Sequence, residues 1–168
     1  MSSAAFPERV NEVSLRPESE HDDDFLLGLY ASVRSAEMRL TGWAPEQQRL
    51  FLRWQFDLQR KHYRLYYLGA EFNVVTLDDV PIGRMYVLRR PEEILLMEIS
   101  IEPRFRARGI GTRLIRNLQE DAQRSDAKVT LHVAPNNPAF RLYQKLGFTV
   151  VEQRGINLFL EWRPHVAH

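Results

Sequence analysis

Apolar and polar positions recur along the chain with two periods, one near 2 and one near 3.6 residues, and the switches between them divide it into elements. Asn11 to Arg16 reads as a short strand. His21, Asp22, Asp23 and Asp24 then mark a helix start, with acids at the positive end of the dipole. Phe25, Leu26, Leu29, Tyr30 and Val33 follow at helical spacing. A second helix opens near Pro45, a residue suited to a first helical turn, and Leu50, Phe51, Trp54 and Leu58 give it one apolar face. Phe72 to Leu77 is rich in β-branched and aromatic residues and reads as a strand. Asp78 and Asp79 turn the chain, and Ile82 to Leu88 returns as the hairpin partner. Ile94 to Ile101 is a further strand, so continuously apolar that burial on both faces is expected. Ile110 to Arg124 is a helix with Leu114, Ile115, Leu118 and Ala122 inward. Val129 to Val133 is a strand. Ala139, Leu142, Tyr143 and Leu146 define a short helix that Gly147 ends. Phe148 to Arg154 and Ile156 to Trp162 close the chain as strands. The order β-α-α-β-β-β-α-β-α-β-β predicts an α+β domain on a mixed sheet rather than a doubly wound fold.

Length and composition narrow the chemistry. With 168 residues, 44% of them hydrophobic and 27% charged, the chain is expected to form one globular domain with a sizeable core. There is no cysteine, which removes disulfides, thiolate metal sites and cysteine nucleophiles and fits a reducing, cytoplasmic setting. The longest apolar run, Phe25 to Ala31, is far short of the ~18 residues a membrane span needs. Residues Met1 to Arg9 show no basic flank followed by an apolar stretch, so no secretory leader is read there. The net charge of +1 gives no general reason to bind nucleic acid or a membrane. Charge is uneven, however. Residues 1–30 hold 7 of the 22 acids and only 2 of the 23 bases, so the remainder carries a net +6. That surplus suits either a solvated surface or a local anionic ligand.

One stretch decides between these. Ile99-Ser100-Ile101-Glu102-Pro103 ends a strand, Arg104-Phe105-Arg106-Ala107-Arg108 is basic, and Gly109-Ile110-Gly111-Thr112 opens a helix. A helix N-terminus offers about four unpaired N–H groups and roughly half a positive charge. Glycines admit a ligand close to the backbone, and arginines add fixed charge, so the stretch suits a diphosphate. A P-loop would need Gly-Lys-Ser/Thr, and Gly111-Thr112-Arg113 does not supply it. A dinucleotide fingerprint would need glycine where Leu114 stands. A tight strand-to-helix turn with solvated arginines is the alternative.

Arg106-Ala107-Arg108-Gly109-Ile110-Gly111 resembles the Gln/Arg-x-x-Gly-x-Gly/Ala signature of the GNAT superfamily of N-acetyltransferases. Asn137-Pro138-Ala139 and Leu142-Tyr143-Gln144-Lys145-Leu146-Gly147-Phe148 resemble a second segment of that family, in register and at the expected distance. The resemblance is firm over residues 94–148 and looser before about residue 70. It implies one N-acetyltransferase domain over 1–168 with an acyl-CoA-binding core near 72–148. The implied fold is a mostly antiparallel sheet of about seven strands, flanked by about four helices, with splayed central strands. The donor substrate implied is acetyl-CoA, and no metal is implied.

By that resemblance, the loop from Arg106 through Ala107, Arg108, Gly109, Ile110 and Gly111 to Thr112 holds the pyrophosphate. The backbones of Ile99 and Ile101 pair with the pantetheine arm as an added strand would. Asn137, or its neighbour Asn136, touches the pantetheine. Tyr143 matches the tyrosine that protonates the leaving thiolate. Each has a plainer alternative: core packing for the isoleucines and Tyr143, helix capping for the asparagines. Attack by an amine with pKa near 10.4 also requires a base, because only about one molecule in a thousand is neutral at pH 7.4. Glu98, an acid inside an apolar strand, is one candidate, with an ion pair to Arg84 as its structural alternative. His132 on the adjacent strand is the other, with a satisfied core imidazole as its alternative. Without cysteine no thioester-enzyme intermediate is expected, so the amine attacks directly in a ternary complex.

The acceptor side is least legible. Trp43, Trp54, His62, Tyr63, Tyr66 and Tyr67 are either aromatic walls for a cationic or flat acceptor or parts of the core. The acceptor expected is a small-molecule amine or a peptide or protein amine. Monomer and homodimer stay open. From other function classes, an acyl-CoA sensor without catalysis or an interaction module on the same fold are the alternatives.

Overall fold

The structure, a computed structural model, describes residues 12–166. Asn11, the expected start of the first strand, lies outside them, as do His168 and the residues read for a leader. In chain order the elements are β1 (Val13–Pro17), α1 (Asp23–Val33), α2 (Ser35–Leu40), α3 (Pro45–Tyr66), β2 (Glu71–Leu77), β3 (Val80–Arg89), β4 (Glu93–Ile101), α4 (Ile110–Ser125), β5 (Lys128–Val133), α5 (Ala139–Lys145), β6 (Thr149–Arg154) and β7 (Asn157–Trp162). Short 3-10 turns at Glu20–Asp22 and Pro103–Phe105 lead toward α1 and α4. The expected α+β architecture holds, and α2 is the element the apolar spacing does not announce, since it buries Met38 alone.

The seven strands form one sheet in the order β1-β2-β3-β4-β5-β7-β6. Every neighbouring pair is antiparallel except β4 and β5, which run parallel. The hairpin turn between β2 and β3 places Asp78 and Asp79 at φ of 48° and 66°, the double left-handed geometry that matches the twist of the strands it joins. Asp78 also accepts the Glu12 N–H at 2.9 Å, tying the entry of β1 to this turn.

Two apolar clusters cover the two faces of the sheet. On one face, Leu114, Ile115, Leu118 and Ala122 of α4 and Tyr143 of α5 pack with Val75, Met85, Ile94, Leu96, Leu131 and Leu160. The inward face expected for α4 is the one observed. On the other, Leu26, Tyr30, Met38, Leu52 and Phe56 cover Val74. Here one expectation is overturned. The inward ridge of α3 is Leu52 and Phe56, whereas Leu50, Trp54 and Leu58 face solvent. α3 carries two apolar ridges about 160–200° apart, and period alone does not say which meets the sheet. The Leu52–Phe56 ridge stacks Phe56 on Tyr30 at 5.2 Å. It also lets Arg53 and Arg60 reach Asp23 at 2.7 and 2.9 Å.

The acids before α1 are more than dipole partners. Asp22 is buried and takes a two-pronged bond from Arg16 at 2.8 Å on each oxygen, plus the Ser19 N–H at 2.8 Å. The Arg16 hydrogen bonds lower its carboxyl pKa to about 2, against a smaller opposing effect of burial. A carboxyl held below its unfolded value stabilises the fold above the unfolded pKa, and that stability is lost as pH falls through the folded one. Asp22 therefore contributes about 1–2 kcal/mol at neutral pH, after discounting for the exposed arginine. That contribution disappears between pH ~4 and ~2. Urea unfolding of Asp22→Asn should show this deficit at pH 7 and converge on the wild type near pH 2.

Candidate active site

The site begins where a ladder stops. β4 and β5 pair from Glu93–Lys128 to Leu96–Leu131 and no further, although β4 runs on to Ile101 and β5 to Val133. β4 stays paired with β3 throughout, and β5 with β7. The parallel strands therefore part at the centre of the sheet, as the expected splay requires.

β4 is also bulged at the point of departure. Val87 pairs with Leu96 but Tyr86 pairs with Glu98, so Met97 is an extra residue on β4. Before it, Ile94 and Leu96 belong to the core under α4. After it, Ile99 and Ile101 pack on that same core. The phase change turns Glu98 and Ser100 to the opposite face, toward α1 and α3. The Glu102 N–H donates to Ile82 O at 2.8 Å, so by strand periodicity the backbone groups of Ile99 and Ile101 point away from β3, into the gap. The Arg106 side chain fills part of that need, its Nε donating to Ile101 O at 2.9 Å. The isoleucines thus serve the core with side chains while most of their outward backbone groups have no partner among the described residues.

Glu98 is placed with care. Oε1 accepts the Ser100 hydroxyl at 2.9 Å and Oε2 lies 3.8 Å from Arg84 Nη2, with 24% of the side chain exposed. Arg84 is only 1% exposed and donates to Gln59 Oε1 at 3.0 Å, while its Nε and Nη1 have no partner among the described residues. Burial is the largest single effect and opposes its charge, but the Glu98 carboxylate and then Tyr86 and Tyr63 together hold its pKa above the ordinary arginine value. The ion pair weighed as an alternative to a catalytic Glu98 is thus present, though long, and it leaves the carboxylate reachable. Tyr63 of α3 joins this neighbourhood, its ring 5.9 Å from that of Tyr86. Burial, and next the charge of Glu98, push its hydroxyl pKa well up.

Tyr143 is 7% exposed on α5 and meets Phe148 edge-on at 5.7 Å. Burial, then the charge of Glu98, push its pKa up to about 12. The two candidates from separate strands and helices therefore share one electrostatic neighbourhood. His132 shares the face of Glu98, alternating with Val129, Leu131 and Val133, and stands one residue past the last β4–β5 pair. It is exposed, with its ring 5.0 Å from Phe159. Burial, then the charge of Arg154, lower its pKa. Arg154 Nη1 lies 3.4 Å from His132 Nε2 and has only hydrogens to offer. The contact therefore assigns Nε2 as acceptor and engages the imidazole's basic nitrogen.

The loop after β4 has the open geometry its sequence suggests. Arg106, Ala107, Arg108 and Gly109 are exposed. Ala107 and Gly109 take φ of 60° and 77°, and Gly109 is the residue just before α4, with no side chain capping the first turn. The amides of Ile110, Gly111 and Thr112 are thus left for something other than a capping side chain. Gly111 has ordinary helical φ, and a Cβ added there meets no protein atom within 4 Å. Neither backbone strain nor internal packing requires this glycine. Arg108 and Arg104 both lie over Phe105, 5.2 and 5.1 Å from its ring centre. Asn137 precedes the Pro138 cap of α5 and its Oδ1 accepts the Ala139 N–H at 2.9 Å; its side-chain amide hydrogens have no partner among the described residues. Asn136 is exposed beside it.

The aromatic set divides. Trp43, Trp54, His62 and Tyr66 are exposed, so the core alternative fails for them. Tyr66 and His62 stack at 4.8 Å on the outer end of α3. Tyr63 alone joins the Glu98 neighbourhood. Arg84, expected as the partner of Glu98, is part of it, and Ser100 and Tyr30, to which the sequence reading gave no role in the site, complete it. The bulge had a signal: apolar residues at 94, 96, 99 and 101 step by three in the middle, but Leu95 and Met97 mask it.

Comparison with known proteins gives the setting. The acetyltransferase (GNAT) family pattern matches residues 29–148. The cysteine-rich protein 2-binding protein of Mus musculus is 36% identical over 85 residues, which is 49% of this chain and 11% of that protein. Its Homo sapiens counterpart is 35% identical over the same share. The chain thus spans about a tenth of the length of these curated relatives. Among solved structures, the PaiA N-acetyltransferase of Thermoplasma acidophilum in complex with coenzyme A aligns at a TM-score of 0.66 and 18% identity, over 90% of this chain and 99% of that one. An acetyltransferase from Thermus thermophilus aligns at 0.64 and 20%, over 91% and 97%. At these identities the likeness is one of fold. With the family pattern covering most of the chain and the splayed sheet in place, the protein belongs to the GNAT acetyltransferase family.

Proposed function

We propose that the protein is an N-acetyltransferase that moves an acetyl group from acetyl-CoA to a primary amine by direct attack in a ternary complex. The observation that carries this is the end of β4–β5 pairing at Leu96 and Leu131, continued by an uncapped α4 start where Gly111 opens onto free space. The coenzyme A in the Thermoplasma structure of the same fold supports that use of the cleft.

In this reading the first-turn amides of α4, with Arg108, bind the pyrophosphate. Ile99 and the Ile101 N–H pair with the pantetheine arm, and the side-chain amide of Asn137 or Asn136 meets it from the other wall. Glu98 takes a proton from the acceptor ammonium, directly or through water, a deprotonation that costs about 4 kcal/mol at pH 7.4 when unassisted. His132 is the weaker candidate because Arg154 engages its Nε2. The neutral nitrogen attacks the thioester carbonyl, the C–N bond forms and the C–S bond breaks. Tyr143, with its pKa pushed up to about 12, keeps its proton at neutral pH. Outright transfer from it to a thiolate near pKa 8.5 is uphill by roughly 5 kcal/mol. It therefore acts as a hydrogen-bond donor to sulfur as charge develops, and the proton lost by the attacking nitrogen restores the balance.

Three measurements test the reading. Gly111→Leu should leave the unfolding curve within about 1 kcal/mol of wild type while calorimetric affinity for coenzyme A falls at least tenfold; unchanged affinity refutes the pyrophosphate assignment. Tyr143→Phe keeps the packing on Phe148 and should cut turnover by about 10²-fold with coenzyme A affinity preserved. Glu98→Gln should do two things. It lowers turnover, and it destabilises the fold by roughly 2–3 kcal/mol because the buried Arg84 guanidinium loses its counter-charge. Adding Arg84→Met to Glu98→Gln should recover much of the stability and none of the activity. Recovery of activity would show Glu98 to be structural only.

A further inference from the structure

The solvent face of α3 is the largest feature that neither the core nor the proposed chemistry uses. Leu50 is 68% exposed, Trp54 60%, Leu58 47% and Leu65 60%, and Trp43, one residue before the helix cap, is 41% exposed. Monomers scatter exposed apolar residues singly; a continuous stripe marks an interface. This one includes two tryptophans, joined through Phe51 at 5.2 and 5.9 Å. The helical part of the stripe, Leu50 to Leu65, runs about 22 Å. It lies on the side of α3 opposite Leu52 and Phe56.

The stripe is nearly palindromic about Trp54. Leu50 and Leu58 stand four residues either side of it, and Trp43 and Leu65 stand eleven either side. A closed twofold interface demands this property, because each residue must meet its symmetry mate's partner. We propose that the stripe is covered by a second copy of this chain, with the two α3 helices antiparallel and the twofold axis at Trp54. Trp54 then meets its own copy, Leu50 meets Leu58 in both directions, and Trp43 meets Leu65.

Charge agrees with that register. At about 100° per residue, Glu46 and Lys61 lie on the same flank of the stripe. A twofold axis perpendicular to the helices keeps each flank on its own side. Glu46 stands eight residues before Trp54 and Lys61 seven after it, so each Glu46 comes level with the other copy's Lys61. Of the four arginines on α3, three are already engaged and Arg49 is exposed. Arg53 is bound to Asp23 and Asp57, Arg60 to Asp23 and Glu18, and Arg64 to Glu18. Self-repulsion between the copies is correspondingly small. Antiparallel packing also sets the opposed helix dipoles side by side.

Sedimentation velocity over a wide concentration range tests the proposal on the full chain. The wild type should form a concentration-dependent dimer that persists at high salt, since the seam is chiefly apolar. Trp54→Glu places two carboxylates on the axis and should leave only monomer, with the thermal transition of the monomer retained. Ile156→Glu, at an exposed apolar residue between β6 and β7, should dimerise as wild type does. Glu46→Lys should weaken association roughly tenfold through its two symmetric pairs, and Glu46→Lys combined with Lys61→Glu should restore it. A wild type that stays monomeric at every concentration overturns the proposal. So does a dimer indifferent to Trp54→Glu, or a charge swap that fails to restore association.

Discussion

A strand that leaves its neighbour must find other partners for its N–H and C=O groups, and β4 leaves β5 after four pairs. Everything distinctive in the fold follows from that departure. The sheet stays whole because β3 holds β4 to its end and β7 holds β5. The gap between them is therefore a permanent feature, walled by rigid ladders on both sides. Outward backbone groups of Ile99 and Ile101 border it, and among the described residues only the Ile101 carbonyl is claimed, by Arg106. An extended molecule with amide groups of its own is the natural occupant of such an edge.

The bulge at Met97 gives the departure its chemistry. Without it, Glu98 would share a face with Leu96 and lie in the apolar core under α4, at a cost of several kcal/mol for an unpaired charge. The extra residue reverses the phase and sets Glu98 beside Arg84 and Ser100 instead. Arg84 in turn is buried with two nitrogens unpartnered among the described residues, so it depends on Glu98 for its countercharge. Each of the two charges makes the other tolerable; the phenol of Tyr63 feels both, and that of Tyr143 feels Glu98. Structural and chemical roles for Glu98 are thus not rivals. The ion pair fixes where the carboxylate is, and its partial exposure decides what it can touch.

α3 shows the same economy on a larger scale. Its inner ridge seals the sheet face that carries Arg84, through Phe56, Gln59 and Tyr63. Its outer ridge is equally apolar and faces solvent. A helix of this kind is amphipathic twice over, and two surfaces are needed to satisfy it. The chain supplies the first. In the proposed dimer, self-complementarity about Trp54 fits the second to another copy of the same helix.

Much of this was legible in the residues themselves. The order of the strands and of every helix but α2, the buried face of α4, and the glycine-led helix start follow from local spacing, because an α-helix or a strand imposes its own period on whatever it buries. Gly109 and Gly111 suggested a ligand cradle because arginines flank them at a helix start, and the proposed function carries that reading forward. What the tertiary structure decided lay wherever two local patterns were equally good. α3 offers two apolar ridges, and only packing against Tyr30 and pairing with Asp23 selected Leu52 and Phe56. β4 is apolar at nearly every position, so only its register against Tyr86 and Val87 located the bulge that turns Glu98. Periodicity fixes what an element can bury; which side it does bury is set by partners distant in the chain, and that is information no local window of sequence contains.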